Sequence, residues 1–243
     1  MTAQTSVRPS PLQIALRLGR VSNLPTVFTN VAAGLALAGA RPISALLLTL
    51  GIAISLFYVG GMYLNDAFDA RWDATNRPER PIPSGHVKAA TVTIAGFAML
   101  GAGAVVVAAV VDARPSLWAA LALGGLIVLY DLSHKGNPAA PLVMALCRVA
   151  VYAVAALAVG PFPPAARVYV GAAALLVYLV FLSTLARKET LHPKLPKMIG
   201  SLVAGISLLD AVLLIVCGRP FAAVVCVAAF FLTRALQRSV PGS

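Results

Sequence analysis

The chain has 243 residues, of which 60% are hydrophobic and only 11% charged, and its mean hydropathy is +0.89. That composition excludes a disordered chain, which needs low hydrophobicity, and argues against a water-soluble enzyme, in which about a quarter of the residues are charged. The net charge of +11 does not point to nucleic acid, because the bases sit in short loops between apolar stretches, where membrane topology accounts for them.

Residues 1–23 read as an arm carrying Arg8, Arg17 and Arg20, without the short apolar run and cleavage site of a signal peptide, so the first span is expected to direct insertion. Eight apolar stretches follow, at 24–40, 43–64, 89–111, 115–130, 139–159, 165–185, 198–217 and 221–236, the fourth and eighth being short. A helix needs about 20 apolar residues to cross the hydrocarbon core, or about 17 at the low end. The stretches lack period-two alternation, and backbone polar groups in lipid must be satisfied internally, so each is expected to be a helix. The fold class is an all-α membrane bundle of about eight transmembrane helices, one domain over residues 1–243. Cys147, Cys217 and Cys226 lie in apolar runs without paired spacing, which excludes a disulfide framework or a zinc cluster.

The connections fall into two sets. The turns after the first, third, fifth and seventh stretches hold or border Arg41, Arg114, Arg167 and Arg219. The N-terminal arm, the loops at 65–88, 131–138 and 186–197, and the tail hold or border 14 of the 19 basic residues, and Arg148 is left inside a span. This positive-inside bias predicts a multi-pass protein of the cell membrane with both termini cytoplasmic. Asp66, Asp69, Asp73, Glu79, Asp131 and Glu189 lie on the same side as the long loops, so function is expected there.

The most informative stretch is Asn65-Asp66-Ala67-Phe68-Asp69-Ala70-Arg71-Trp72-Asp73. If the second helix continues through it, Asn65, Asp69, Asp73 and Asp66 fall at about 0°, 40°, 80° and 100°. Unpaired, three carboxylates on one face repel one another. A divalent cation removes the penalty, and oxygen-only donors suit Mg²⁺, which takes one or two carboxylates plus substrate phosphates. The alternative is a solvated helix end with Arg71 and Arg77 as surface partners. The loop that follows, Asn76-Arg77-Pro78-Glu79-Arg80-Pro81-Ile82-Pro83-Ser84-Gly85, is stiffened by three prolines, and its guanidiniums suit phosphate oxygens.

These two motifs together resemble the UbiA superfamily of intramembrane prenyltransferases. The stretch from Arg20 to Asn30 resembles the family's first helix, and Tyr130 to Lys135 its element after the fourth span. Tyr130-Asp131-x-x-His134-Lys135 with Leu146-Cys147-Arg148 is most similar to the EboC-like branch. The resemblance implies a helical bundle with a pocket open to the cytoplasmic face. It implies Mg²⁺ held by Asp66 and Asp69, assisted by Asn65 and Asp73, on the head of an isoprenyl diphosphate whose tail lies in the membrane. It further implies phosphate contacts from Arg80, Lys135, Arg77, Arg148 and Lys188, and Tyr130 facing an allylic cation that an unidentified acceptor captures. The family's second aspartate-rich motif, after the sixth span, is replaced here by Ser183-Thr184-Leu185-Ala186-Arg187-Lys188-Glu189, leaving Glu189 as the one acid to serve a second metal. Arg187 or Lys188 would then supply that metal's charge directly.

Isolated polar residues add candidates. Asp210, within the seventh stretch, is expected to contact substrate or to pair with Arg148, since acids in spans face a cavity or a partner. Asp131 either ties down Lys135 or binds metal. Arg20, Asn23 and Asn30 would share roughly one side of a continuous helix and line the pocket. His86, His134 and His192 read as surface residues, and Gly34, Gly39, Gly96, Gly101 and Gly103 as helix-packing positions. Three activities remain open: Mg²⁺-dependent prenyl transfer, terpene cyclisation or diphosphate lysis on the same fold, and non-catalytic lipid binding or transport.

Overall fold

The computed structural model describes residues 9–111, 114–187 and 195–240, and among these the secondary structure is entirely helical. The order is α1 (Pro11–Leu18), a 3₁₀ turn (Val21–Asn23), α2 (Leu24–Leu37), α3 (Ala45–Phe68), α4 (Ala70–Asn76), α5 (Ala89–Val110), α6 (Arg114–Ser133), α7 (Ala140–Leu157), α8 (Ala166–Ala186), α9 (Leu195–Val216) and α10 (Pro220–Leu236). All eight apolar stretches are helices. Six of them, α3 and α5 to α9, are long and apolar enough to cross a membrane. The fourth stretch, read as short, is a helix of 20 residues, and the short ones are α2, of 14 residues, and α10, of 17.

α2 is the hub of the bundle and packs against α3, α7, α8, α9 and α10. It spans only about 21 Å at 1.5 Å per residue, and its far end is closed by neighbours. Gly39 takes a left-handed φ of 92°. The Ala40 N–H returns to the Leu35 carbonyl at 3.0 Å and the Gly39 N–H to that of Ala36 at 2.9 Å, the pattern of a helix closed by a left-handed residue. Arg167 donates to the Leu37 carbonyl and Arg219 to that of Gly39, so cations from two other connections meet the negative end of the helix dipole.

Without a hydrophobic drive between helices in lipid, small residues set how closely backbones approach. α3 and α5 meet over Gly60 and Gly96: a Cβ built on Gly60 would stand 2.8 Å from the Gly96 carbonyl oxygen and 2.4 Å from Leu100 Cδ1. At Gly34, a Cβ would stand 2.8 Å from Ala155 Cβ on α7. Gly101 packs against nothing, and Gly39 serves the turn. Large apolar side chains such as Leu48, Ile94, Trp118, Val177 and Val212 point outward, as hydrocarbon solvation requires. The N-terminal arm is partly structured. α1 opens on a capping box in which Ser10 Oγ accepts from the Gln13 N–H and Gln13 Oε1 from the Ser10 N–H. It rests on α3, where Tyr63 Oη donates to the Ala15 carbonyl at 3.3 Å.

Candidate active site at the acidic end of the bundle

The acidic stretch sits where α3 passes into α4. Asp69 stands at the junction with φ −79° and ψ −7°, and the Asp69 N–H···Asn65 O and Asp73 N–H···Asp69 O bonds, at 2.9 and 2.8 Å, carry the helical phase across it. Asn65, Asp66, Asp69 and Asp73 therefore share one face. That face turns inward, and all four residues are buried, Asp73 to 1% exposure.

Burying four acidic or amide groups together is costly unless each finds a partner. Arg80 Nη1 bridges two of the carboxylates, at 3.2 Å from Asp66 Oδ1 and 2.9 Å from Asp73 Oδ2, and Arg20 Nη2 approaches Asp66 Oδ1 at 3.3 Å. From the end of α6, Lys135 Nζ lies 2.7 Å from Asp69 Oδ1 and His134 Nε2 3.4 Å from Asp69 Oδ2. Lys135 also stands 4.9 Å over the Trp72 ring. Asn65 Nδ2 donates to Asp131 Oδ1 at 3.2 Å. Burial alone would raise the Asp69 pKa, but the hydrogen bonds and charges of His134 and Lys135 outweigh it and hold the carboxyl below its ordinary value. Reciprocally, the bond to Asp69 raises His134 against the opposing effect of its own burial.

Two buried carboxylate oxygens, Asp73 Oδ1 and Asp131 Oδ2, have no hydrogen-bond partner among the described residues. Orphaned carboxylate oxygens in an oxygen-only donor set suit Mg²⁺. As the side chains stand, however, each carboxylate leans on a basic or amide partner, and among the described residues no three acidic, histidine or cysteine side chains are grouped to hold a metal ion. Taking up a cation requires Asp66, Asp69 and Asp73 to exchange those basic partners.

Next to this cluster an apolar cavity of about 210 Å³ runs into the bundle. Arg20, Asn23, Asn65, Tyr130 and Asp131 line its polar end, and Ile54, Phe57, Leu123, Val151 and Ile206 its interior. Asp66, Asp69 and Asp73 stand beside it, linked to its wall through Arg20 and Asn65. A second cavity of about 520 Å³ adjoins the first, sharing Tyr130 and Met144 with it; Arg77, His134, Ser183 and Arg187 are among its other walls. Tyr130 stacks on His134 with ring centroids 5.0 Å apart.

A model of the UbiA prenyltransferase family matches residues 26–241. The chain belongs to this family. Digeranylgeranylglyceryl phosphate synthase from Methanopyrus kandleri is 36% identical over 126 residues, 51% of this chain and 44% of the relative. The protein of the same name from Ignicoccus hospitalis is 35% identical over 130 residues, 52% of this chain and 41% of the relative. The matched region thus spans less than half the length of these relatives. Among solved structures, a UbiA homolog from Archaeoglobus fulgidus bound to DMAPP and Mg²⁺ superposes with a TM-score of 0.61 at 13% identity, covering 92% of this chain and 87% of that one. A structure of digeranylgeranylglyceryl phosphate synthase gives 0.59 at 16% identity, covering 93% and 88%. At such identity the likeness establishes the shared UbiA fold.

Several sequence expectations for this UbiA-family chain are corrected by the structure. Arg71 and Arg77 do not pair with the aspartates; Arg80, Arg20, Lys135 and His134 do. His134, read as a surface residue, is half-buried in the site. Asp131 pairs with Asn65 rather than Lys135. The helix from Arg20 to Asn30 is not continuous. Arg20 adopts a left-handed φ of 42° before a 3₁₀ turn, so the turn, not helical phase, directs its side chain. Arg20 and Asn23 line the cavity, but Asn30 and Asp210 do not. These two belong to a buried network in which Asp210 Oδ2 accepts from Thr29 Oγ1 at 2.6 Å and Asn30 Nδ2 at 2.9 Å, and Oδ1 from Tyr152 Oη. Arg148 does not touch Asp210: it donates to Asn30 Oδ1 at 2.8 Å and Thr26 Oγ1 at 3.1 Å, and its guanidinium carbon lies 5.4 Å from the Tyr58 ring centroid on the cavity wall. Asn23 donates to Tyr58 Oη at 3.1 Å and accepts from Gln237 Nε2 at 3.1 Å. Sequence reasoning passed over Thr26, Thr29, Tyr58 and Tyr152, whose one signal is a hydroxyl inside an apolar run. Lys188 and Glu189, like His192, lie outside the described residues.

Proposed function

We propose that this protein transfers an isoprenyl group from an allylic diphosphate to an acceptor, at the cytoplasmic face of the cell membrane. One observation carries the reading: buried carboxylates interleaved with arginine and lysine stand at the polar end of an apolar cavity, with an aromatic ring on its wall. Such a site takes a substrate with a doubly charged head and an apolar tail. Asn65, Asp66, Asp69 and Asp73 are the residues that would hold Mg²⁺, which when bound neutralises the diphosphate and makes it a better leaving group. Arg80, Arg20 and Lys135, released from the carboxylates, are placed to grip phosphate oxygens, the guanidiniums bidentately. The C–O bond to the diphosphate breaks with its electron pair leaving on oxygen. Tyr130 faces the allylic carbon and favours its developing positive charge through the ring. The acceptor forms the new bond and gives up a proton. The apolar walls exclude water, which would otherwise capture the cation. The charge bias of the connections supports cytoplasmic termini and a cytoplasmic acidic end.

A second reading, lipid binding without chemistry, draws on the neutralisation of the carboxylates by the protein's own cations. Pyrophosphate release separates the two. Purified protein in nanodiscs is given a panel of allylic diphosphates, with Mg²⁺ or EDTA, and an acceptor panel of aromatics, polyols and, after the name of the relatives, glyceryl phosphates. Release that requires Mg²⁺ and falls at least 100-fold in an Asp66→Asn, Asp69→Asn double variant is the expected result. Release from wild type that is absent with every acceptor overturns the transfer reading. Release without any acceptor, yielding a cyclic or diene product, reassigns the chemistry to cyclisation or lysis.

A further inference from the structure

The geometry points to the second cavity as a metal-independent pocket for the anionic headgroup of the acceptor, with a phosphate monoester the best-fitting chemistry. This inference rests on the transfer reading, because it supplies that reaction's second substrate. At about 520 Å³ the cavity falls within the usual range of ligand pockets, about 300–1,000 Å³. Its charge differs in kind from that of the acidic cluster. Arg77 enters from the loop after α4 and Arg187 from the end of α8, and no carboxylate lines it among the described residues. Among the described residues Arg77 has no ion pair and the one hydrogen bond of the Arg187 side chain is to the Asn137 carbonyl, whereas Arg20, Arg80 and Lys135 are all engaged by aspartates.

A further observation points to a ligand. Ser183 lines this cavity at 5% exposure, and its hydroxyl has no hydrogen-bond partner among the described residues. A buried hydroxyl left unpaired is costly, and a phosphate oxygen held by the two guanidiniums satisfies it. Among the described residues no carboxylate is present here to bridge a metal, so the anion binds by direct contact with Arg77, Arg187 and Ser183. Tyr130 forms the wall between the two cavities. A headgroup in the second therefore presents its neighbouring nucleophile to an allylic carbon in the first. Two adjoining cavities match a two-substrate transfer and are superfluous for a cyclase.

The test is equilibrium binding to the full-length protein in nanodiscs with EDTA present. The probes are a short-chain monoalkylglyceryl phosphate, the uncharged monoalkylglycerol, and inorganic phosphate. The expected result is saturable binding of the charged lipid, at least tenfold weaker binding of the uncharged one, and at least a tenfold rise in the charged lipid's Kd in Arg187→Gln and in Arg77→Gln. Inorganic phosphate binding as tightly as the lipid supports the pocket and makes free phosphate its source; phosphate that merely competes at higher concentration makes the lipid headgroup the source. Equal affinity for charged and uncharged lipids in wild type overturns the proposal without any variant having to fold, as does binding that EDTA abolishes. Wild-type pyrophosphate release, measured separately, distinguishes the failures. Release without charge-selective binding refutes this pocket alone, and charge-selective binding without release refutes transfer alone.

Discussion

Replacing Asp210 by alanine tests whether the buried network linking α2, α7 and α9 is structural. Asp210 is fully buried, and truncation strands the donors of Asn30, Tyr152 and Thr29, each at most 4% exposed. Thr29 loses least, because its hydroxyl also reaches the Thr26 carbonyl at 3.1 Å. At about 0.6 kcal/mol for each hydrogen bond, the average within membrane bundles, three bonds amount to about 2 kcal/mol. Counting Asn30 and Tyr152 as orphaned donors at about 1–3 kcal/mol each gives a higher figure. Asn30 relays the carboxylate's charge to Arg148, and removing one partner of a buried charge pair costs about 3–5 kcal/mol. The direct-pair figure is an upper bound here because the amide intervenes, which leaves an expected loss of about 3 kcal/mol. The assay is reversible unfolding in mixed micelles against a rising fraction of denaturing detergent. Thr29→Val, which removes a single bond, should cost about 0.6–1 kcal/mol. A loss below about 1 kcal/mol for Asp210→Ala, or equal losses for the two variants, refutes the relay and the ranking of terms behind it.

The α3–α5 contact yields a paired expectation in the same assay. Gly60→Ala places a methyl against the Gly96 backbone oxygen, which cannot rotate away, and should cost about 1–3 kcal/mol, whereas Gly101→Ala, with nothing within 4 Å, should be neutral or slightly stabilising. Phe57 is held between Gly103 and Gly124, where Cβ atoms would stand 2.8 and 3.3 Å from its ring. Phe57→Ala should deepen the first cavity and shift the ratio of kcat/KM for long over short prenyl diphosphates upward by about tenfold, or 1.4 kcal/mol; an unchanged ratio removes Phe57 from the cavity's floor. For orientation, a membrane-impermeant maleimide should label Phe162→Cys but not Asn76→Cys in intact cells carrying a cysteine-free background, and the reverse pattern would invert the bundle.

Local chemistry was legible where sequence neighbours are also spatial neighbours. The apolar stretches became helices at nearly the expected bounds, because burying a polar backbone in hydrocarbon leaves little choice. Asn65, Asp66, Asp69 and Asp73 share a face because helical phase alone fixes it. The partners of that face were not legible. Arg20 lies 46 residues from Asp66 in the chain, Asn65 lies 66 from Asp131, and Thr29 lies 181 from Asp210, so each contact depends on which helices adjoin. Residues 77 and 80 look interchangeable in a proline-rich loop, yet only Arg80 reaches the acids while Arg77 faces the other cavity. His134 was misjudged because loop position normally means solvent. Here the loop begins one residue past a helix that ends beside Asp69.

Along α3, Phe57, Gly61 and Asn65 are spaced one turn apart and all line the first cavity. The helix is thus graduated: polar at the top, bare at the middle mark, blocked at the bottom. Four residues rise about 6 Å, on the order of the length of an extended isoprene unit. A bulky side chain at Gly61 would close the scale one mark higher, against Ile127, where a Cβ already comes within 2.8 Å. On the proposed transfer reading, the tail length accepted would therefore change stepwise through single substitutions on one helix, without disturbing the carboxylates at its head.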